Sequence, residues 1–318
     1  MNPSFFFVLS GLFLGWSLGA NDAANVFGTA VGTKVIKWST AVTITAVAVI
    51  AGAVHKGQIG IANIGSYAAL NSVTTGLEAF IVMLVAALTV TGFTILKFPV
   101  STTQCIVGSM IGWGLSKGTA DFSKTTDFFS AWLITPLGSC LICFILCKLF
   151  AVLLEKKVEG HKNFDMVVKI GYMASGAFGA YSLGANNVAN ATGIYLSVDG
   201  VLNSTFVAAL AGGIAIALGV LTFSKPVMQT VGEGVTSLSP VMGFLAVISC
   251  SIIVYIYALI GIPVSTSQAI VGAVIGAGLT KGVGTVKFDV LKNIGVAWFL
   301  TPLIPGFITF VIGKIIVT

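Results

Sequence analysis

Ser17-Leu-Gly-Ala-Asn-Asp-Ala-Ala-Asn25 returns as Ser182-Leu-Gly-Ala-Asn-Asn-Val-Ala-Asn190, and both copies sit inside long apolar stretches. Two more motifs are doubled in the same order: Pro99-Val-Ser-Thr-Thr-Gln104 with Pro263-Val-Ser-Thr-Ser-Gln268, and Ala131-Trp-Leu-Ile-Thr-Pro136 with Ala297-Trp-Phe-Leu-Thr-Pro302. The three displacements are 165, 164 and 166 residues, so one half of the chain repeats the other in order.

The composition is that of a membrane protein: 56% of residues are hydrophobic, 8% are charged, and the mean hydropathy is +1.04. Runs of about 20 apolar residues, enough to cross a hydrocarbon core of roughly 30 Å, occupy 5–26, 39–58, 79–97, 129–153, 167–190, 205–223, 238–261 and 294–317. Thr103–Ser116 and Ser267–Thr280 are apolar but only 14 residues long, which suits half-helices. The amino-terminal stretch lacks a basic start and a cleavage site and reads as a retained helix. The expected fold is an all-α polytopic membrane protein with broken helices and re-entrant half-helices.

The clearly hydrophilic segment Glu155–Asp165 separates the copies, which gives a first repeat at 1–153, a central loop at 154–165 and a second repeat at 166–318. The net charge of +6 comes from lysines spread over segment ends, as snorkelling requires, and nucleic acid is not an expected partner. Lys148, Lys156, Lys157, Lys162 and Lys169 flank the central loop, which places it in the cytoplasm. Each half crosses five times, or three times if the segments around Pro-Val-Ser-Thr form a hairpin. Either odd number inverts the second repeat relative to the first and puts both termini on the extracytoplasmic side of the cell membrane.

Asp22 is the one acid embedded in a motif, at a depth where even a lenient scale charges about 2.5–3.5 kcal/mol for it. Asn21 and Asn25 surround it, and the second copy supplies Asn186, Asn187 and Asn190. Asp22 and Asn25 share a helical face, as do Asn187 and Asn190. Oxygen-rich sites with one formal charge suit a weakly held monovalent cation such as Na⁺ better than a caged divalent ion. Gly19 and Gly184 ahead of the motifs, with Gly28 and Gly193 after them, are expected to let the helices unwind there.

Ser101, Thr102, Thr103 and Gln104, like Ser265, Thr266, Ser267 and Gln268, form helix starts in apolar surroundings. Two such starts aimed at one place present dipole ends and free N–H donors to an anion. The chain has no arginine, so a tetrahedral oxyanion has to be bound by these donors, by the hydroxyls and by the Asn amides. Such an anion beside Asp22 is repelled unless a cation lies between them, and that couples the two ligands.

The doubled Gly-Ala-Asn-Asp-x-Ala-Asn and Pro-Val-Ser-Thr motifs resemble the inorganic phosphate transporter (PiT) family, over essentially the whole chain from Ser17 to Pro302. The resemblance implies Na⁺-coupled uptake of inorganic phosphate through inverted halves, with the site at their interface. Asn25, Asn190 and the two Ser/Thr/Gln clusters then contact phosphate. Na⁺ is expected among Asp22, Asn25, Asn187 and Asn190, with Asn21, Asn186, Ser101 and Ser265 as further cation-side residues. Several members of the family carry Asp where this chain has Asn187, and others use protons, move metal–phosphate complexes or carry sulfate.

No separate cofactor is expected, and neither is enzymatic chemistry, because the motifs contain no acid or histidine besides Asp22. An ion channel is the other reading, separable by its lack of a saturable, cation-dependent step. Cys140, Cys143 and Cys147 share a face without a His or acid nearby and read as packing residues. His55 and His161 read as loop residues without a role. Glycines between Gly171 and Gly213 point to close helix packing and to a possible homodimer.

Overall fold

Eight glycines, in pairs one repeat apart, lie against backbone carbonyls that are themselves one repeat apart. A methyl group added at Gly19 would collide with the carbonyl of Ile216, and one at Gly184 with that of Val49. Gly219 meets Trp16 and Gly52 meets Tyr181. Gly108 meets Pro302 and Gly272 meets Pro136, and Gly112 meets Gly306 and Gly276 meets Cys140. Each pair places a residue of one half on the other half and reverses the exchange at the equivalent positions. That reciprocity requires a pseudo-twofold axis between the halves.

The computed structural model describes residues 4–96, 100–151, 164–198, 201–234, 238–282 and 288–317. These are helical throughout, without strands among the described residues. The first half contains α1 (Ser4–Gly32), α2 (Trp38–Lys56), α3 (Gln58–Leu70), α4 (Gly76–Ile95), α5 (Thr102–Lys117) and α6 (Thr125–Leu146). The second contains α7 (Phe164–Thr192), α8 (Thr205–Gly234), α9 (Pro240–Ile260), α10 (Thr266–Leu279) and α11 (Phe288–Val317). Most of the central loop, with Lys156, Lys157, Lys162 and His161, lies outside the described residues, as does Pro99.

The equivalent helices α1 and α7 run antiparallel. Gly11 near the start of α1 lies on Ala191 near the end of α7, and Phe27 near the end of α1 lies on Gly176, about four turns earlier in α7. Gly11 N–H and Ser10 Oγ both reach the Tyr195 hydroxyl at 2.8 Å. A repeat axis running along the helices would have left them parallel, so the second repeat is inverted.

Among the described residues, seven helices have the length and apolarity of a membrane span. The stretch 167–190, read as an eighth, forms α7 but falls short of that apolarity, because Lys169 and several Gly, Ser and Tyr residues occupy its first part and Asn186, Asn187 and Asn190 its last. α6 and α11 are the most exposed spans and present Leu133, Leu137, Leu141, Phe299, Leu303 and Phe307 outward, as a lipid-facing surface requires.

The helices carrying the first motif are unbroken. α1 continues through Gly19 and Gly28 and α7 through Gly184, contrary to the unwinding expected there, because Gly19 and Gly184 are needed for close approach to Ile216 and Val49; at Gly193 the α-helix does give way, to a 3₁₀ turn over Gly193–Ser197. The breaks fall instead before α5 and α10. Gly261 ends α9 in the left-handed region at φ 78°, and Ser265 restarts the chain as the N-cap of α10. α4 and α5 form the matching hairpin, closed at its base where Glu78 in the first turn of α4 pairs with Lys117 in the last turn of α5.

One lesser expectation changes. His55 belongs to the last turn of α2 rather than to a loop, and its Nδ1 lies 2.6 Å from the Tyr181 hydroxyl of α7. The glycines from Gly171 to Gly213 include several that make close helix packing within the chain: Gly171 packs on Phe244, Gly193 on Ile64, and Gly213 on Ile50 and Ala53.

Candidate functional site

Asp22 is buried on α1, one turn before Asn25. Asn25 Nδ2 donates to Asp22 Oδ1 at 3.1 Å and to Ser267 Oγ at 2.9 Å, and Ser267 Oγ donates to Asp22 Oδ1 at 3.2 Å. The first-half carboxylate is thus held by a hydroxyl from the first turn of the second-half half-helix α10.

The mirror arrangement is present on α7. Asn190 Nδ2 donates to Asn187 Oδ1 at 3.0 Å and to Thr103 Oγ1 of α5 at 2.9 Å. Thr103 stands at the repeat position of Ser267. Its hydroxyl donates a hydrogen bond to the Val264 carbonyl at 3.4 Å, which ties the start of α5 to the break before α10. The sequence grouped Thr103 and Ser267 with the anion; the structure places each on an Asn of the opposite half.

Ser101 and Ser265 are N-caps whose hydroxyls accept from Gln104 N–H at 3.3 Å and Gln268 N–H at 3.2 Å. The first intrahelical bonds are Cys105 N–H to Ser101 O and Ala269 N–H to Ser265 O. The amides preceding them, at Thr102 and Thr103 and at Thr266 and Ser267, are the ones helix geometry leaves available for an anion. The N–H groups of Gln104 and Gln268, expected as anion donors, are spent on the caps.

Asn21 and Asn186 face other duties. Asn186 grips the α9–α10 break with both ends of its amide, Nδ2 to the Ile262 carbonyl at 3.0 Å and Oδ1 from Val264 N–H at 2.8 Å. Asn21 donates to the Thr94 hydroxyl of α4 at 2.9 Å. The repeat alone does not separate these pairs, since Asn21, Asn25, Asn186 and Asn190 all read as polar residues on apolar helices.

Several buried polar atoms at this place lack a protein partner: Thr102 Oγ1, Asn187 Nδ2, Asn190 Oδ1, Gln104 Oε1 and Gln268 Oε1. Buried polar groups are nearly always paired, so unpaired donors and acceptors in the first turns of two half-helices and on the α7 asparagines bonded to α5 mark a place built for a polar ligand. Thr102, Thr103, Gln104, Thr266, Ser267 and Gln268 are themselves all buried. Among the described residues no group of three His, Cys, Asp or Glu could hold a metal ion.

The family model described as "Phosphate transporter family" matches residues 18–167 and again 154–309, and so recognises both repeats. A protein of Methanocaldococcus jannaschii named as a phosphate permease is 28% identical over 97% of this chain and 96% of its own. The sulfate permease CysP of Bacillus subtilis is 30% identical over 96% of this chain and 86% of its own. The solved structure of a sodium-dependent phosphate transporter superposes with a TM-score of 0.84 at 25% identity, over 99% of both chains. This inverted-repeat, multi-pass membrane protein belongs to the phosphate transporter family, a family of transporters rather than enzymes.

Proposed function

We propose that this chain imports inorganic phosphate across the cell membrane by symport with Na⁺. The observation that carries the reading is the reciprocal bridge between halves, Asn25 to Ser267 and Asn190 to Thr103, surrounded by unpaired donors and acceptors and carrying a single carboxylate. Na⁺ binds at Asp22, with the carbonyl oxygen of Asn25 and the hydroxyls of Ser267 and Thr266 as neutral oxygen ligands. Phosphate docks on the starts of α5 and α10, on Thr102, Thr103, Thr266 and the free helix amides. Asn186, Ser101 and Ser265 position the broken backbone and Asn21 holds α4 through the Thr94 hydroxyl, rather than touch the ions.

Because the bonds of Ser267 to Asn25 and Asp22 and of Thr103 to Asn190 and Val264 join one repeat to the other, rocking the halves about their pseudo-twofold axis opens the site to one side or the other. Phosphate beside a bare Asp22 carboxylate adds a second negative charge to the site, and Na⁺ on Asp22 removes one, so the anion is held and carried at lower cost with the cation than without it. That difference couples the ion gradient to the anion.

The central loop faces the cytoplasm in this reading. The antiparallel run of α1 against α7 brings Lys34 and Lys37, which follow α1, to the side of the central loop. Lys225 reaches the same end, its Nζ lying 5.5 Å from the Trp38 ring centroid. Basic residues therefore gather on that side, as the positive-inside rule asks.

Sulfate is the second reading, favoured by the identity with the Bacillus subtilis sulfate permease. Three of the unpaired atoms, Gln104 Oε1, Gln268 Oε1 and Asn190 Oδ1, are acceptors that need a donor. Phosphate carries a P–OH at neutral pH and sulfate does not, so these acceptors select phosphate. The test is uptake of labelled phosphate into proteoliposomes under a Na⁺ gradient, under a pH gradient alone, and with excess sulfate. Na⁺-driven, sulfate-resistant accumulation is expected. Accumulation driven by pH alone, or abolished by sulfate, would overturn the sodium or the phosphate assignment respectively.

A further inference from the structure

The pseudo-twofold axis makes Asp22 and Asn187 equivalent: each lies one turn before an Asn that donates to it and then bridges to a hydroxyl of the opposite half. The two cradles differ in charge, and they also differ in which atoms they leave open.

The orientation of the second cradle follows from an anchor that cannot turn round. The Val264 carbonyl only accepts, so the Thr103 hydroxyl donates to it. The Thr103 oxygen then accepts from the Asn190 amide nitrogen, and the same nitrogen donates to Asn187 Oδ1. The carbonyl end of Asn187 is therefore engaged by Asn190, and what it leaves unpaired and buried is Nδ2, a donor. In the first cradle the donors converge on a carboxylate, whose oxygens only accept. A cation is repelled by a free N–H donor and attracted by a carboxylate, whereas an anion has the opposite preference.

We propose that only the Asp22 cradle takes a cation, and that the Asn187 cradle instead gives an N–H donor to the transported anion, so that one Na⁺ moves with each phosphate. The inference rests on the symport reading above and adds the stoichiometry and the role of Asn187. One Na⁺ balances Asp22, and the N–H donors of the second cradle and of the two helix starts meet the charge of monovalent phosphate, which also retains P–OH groups for the unpaired acceptors. Restoring a carboxylate in the second cradle should convert it to a cation site and take a donor away from the anion.

The experiment measures initial influx of labelled Na⁺ and labelled phosphate into the same proteoliposomes, for the wild type and for Asn187→Asp, together with Na⁺-induced shifts in melting temperature. A one-to-one ratio is expected for the wild type. The variant should approach two-to-one, with a steeper Na⁺ dependence and weaker phosphate binding at low Na⁺. A wild-type ratio of two or more would overturn the inference while leaving Na⁺ symport intact, as would a folded variant with unchanged ratio and Na⁺ dependence. Phosphate uptake indifferent to Na⁺ would remove the symport reading itself, and the inference with it. Should Asn187→Asp fail to fold, Asn187→Ser, which keeps a donor and adds no charge, is expected to keep the ratio at one; a change would count against the assignment.

Discussion

The Ser267 hydroxyl donates to the Asp22 carboxylate at 3.2 Å across 245 positions of sequence, and so joins the one charged motif residue to the half-helix of the opposite repeat. Asp22 is thereby sensitive to how the two halves are docked. Ser267→Ala removes a hydroxyl that orients the carboxylate and can ligate Na⁺; hydrogen bonds to charged groups contribute about 1.5–3 kcal/mol. The apparent Na⁺ affinity should fall at least roughly tenfold, while the phosphate KM at saturating Na⁺ changes little. Thr103→Val deletes the equivalent hydroxyl beside the neutral pair and should do the reverse, raising the phosphate KM. Na⁺ and phosphate titrations of the two variants check the contrast, and identical profiles would show that the cradles are not specialised.

Asp22→Asn turns the first cradle into a copy of the second and leaves the site without a carboxylate. The variant should insert and fold, since Asn187 shows that an amide fits the same surroundings. Na⁺-driven accumulation should be lost. Wild-type accumulation by Asp22→Asn would remove Asp22 from the coupling mechanism.

Outside the spans, Asp121 in the α5–α6 connection accepts from Ser123 N–H at 2.7 Å and from the Ser123 hydroxyl. These bonds hold its pKa below the ordinary value of 3.8. A lowered folded pKa means that the associated stability is present above the ordinary value and is lost as pH falls through the folded value. Ser123→Ala should therefore lower the melting temperature slightly at neutral pH, and the difference should shrink below pH 3.8. Melting curves across acid pH check the sign.

The doubled motifs made the inverted architecture and the half-helices legible, because a duplicated Pro-Val-Ser-Thr in apolar surroundings has few other physical uses. Nothing in the same motifs distinguished an Asn that faces the ligand from one that braces the chain. Asn186 and Asn190 are separated by four residues, about one helical turn. They differ only in what the opposing helix offers: backbone at the break before α10 for one, a hydroxyl of α5 for the other. Gly19 and Gly184 were misread for a related reason. A glycine in a helix can signal unwinding or close approach, and only the opposing carbonyls of Ile216 and Val49 decide between them.

Asn186 gives a direct test of the bracing role. Asn186→Ala leaves the Ile262 carbonyl and Val264 N–H without their partner at a buried break, at a cost of about 1–3 kcal/mol. Because Val264 also receives the Thr103 hydroxyl, the damage should spread to the start of α5 and weaken phosphate binding. Asn21→Ala removes one bond to the Thr94 hydroxyl and should cost less. Thermal stability and phosphate affinity should fall together in the first variant and hardly move in the second.

The reciprocal glycines make the sharpest structural prediction. Gly108→Ala and Gly272→Ala each drive a methyl group into the carbonyl of a proline, Pro302 or Pro136, on the partner helix. Backbone cannot retreat as a flexible side chain does, so the helices must separate, at a cost of 1–3 kcal/mol or more, roughly that of overpacking a core. Both substitutions act on a pairing of a half-helix with its outer helix, α5 on α11 and α10 on α6, so they should lower the melting temperature by similar amounts. Gly92→Ala is the control: it lies in helix α4 with nothing within 4 Å of the added methyl group, and replacing glycine by alanine within a helix is worth about 0.5–1 kcal/mol. It should leave the protein equally or slightly more stable. Comparable losses in all three variants would mean that the glycines serve something other than the close contact between repeats.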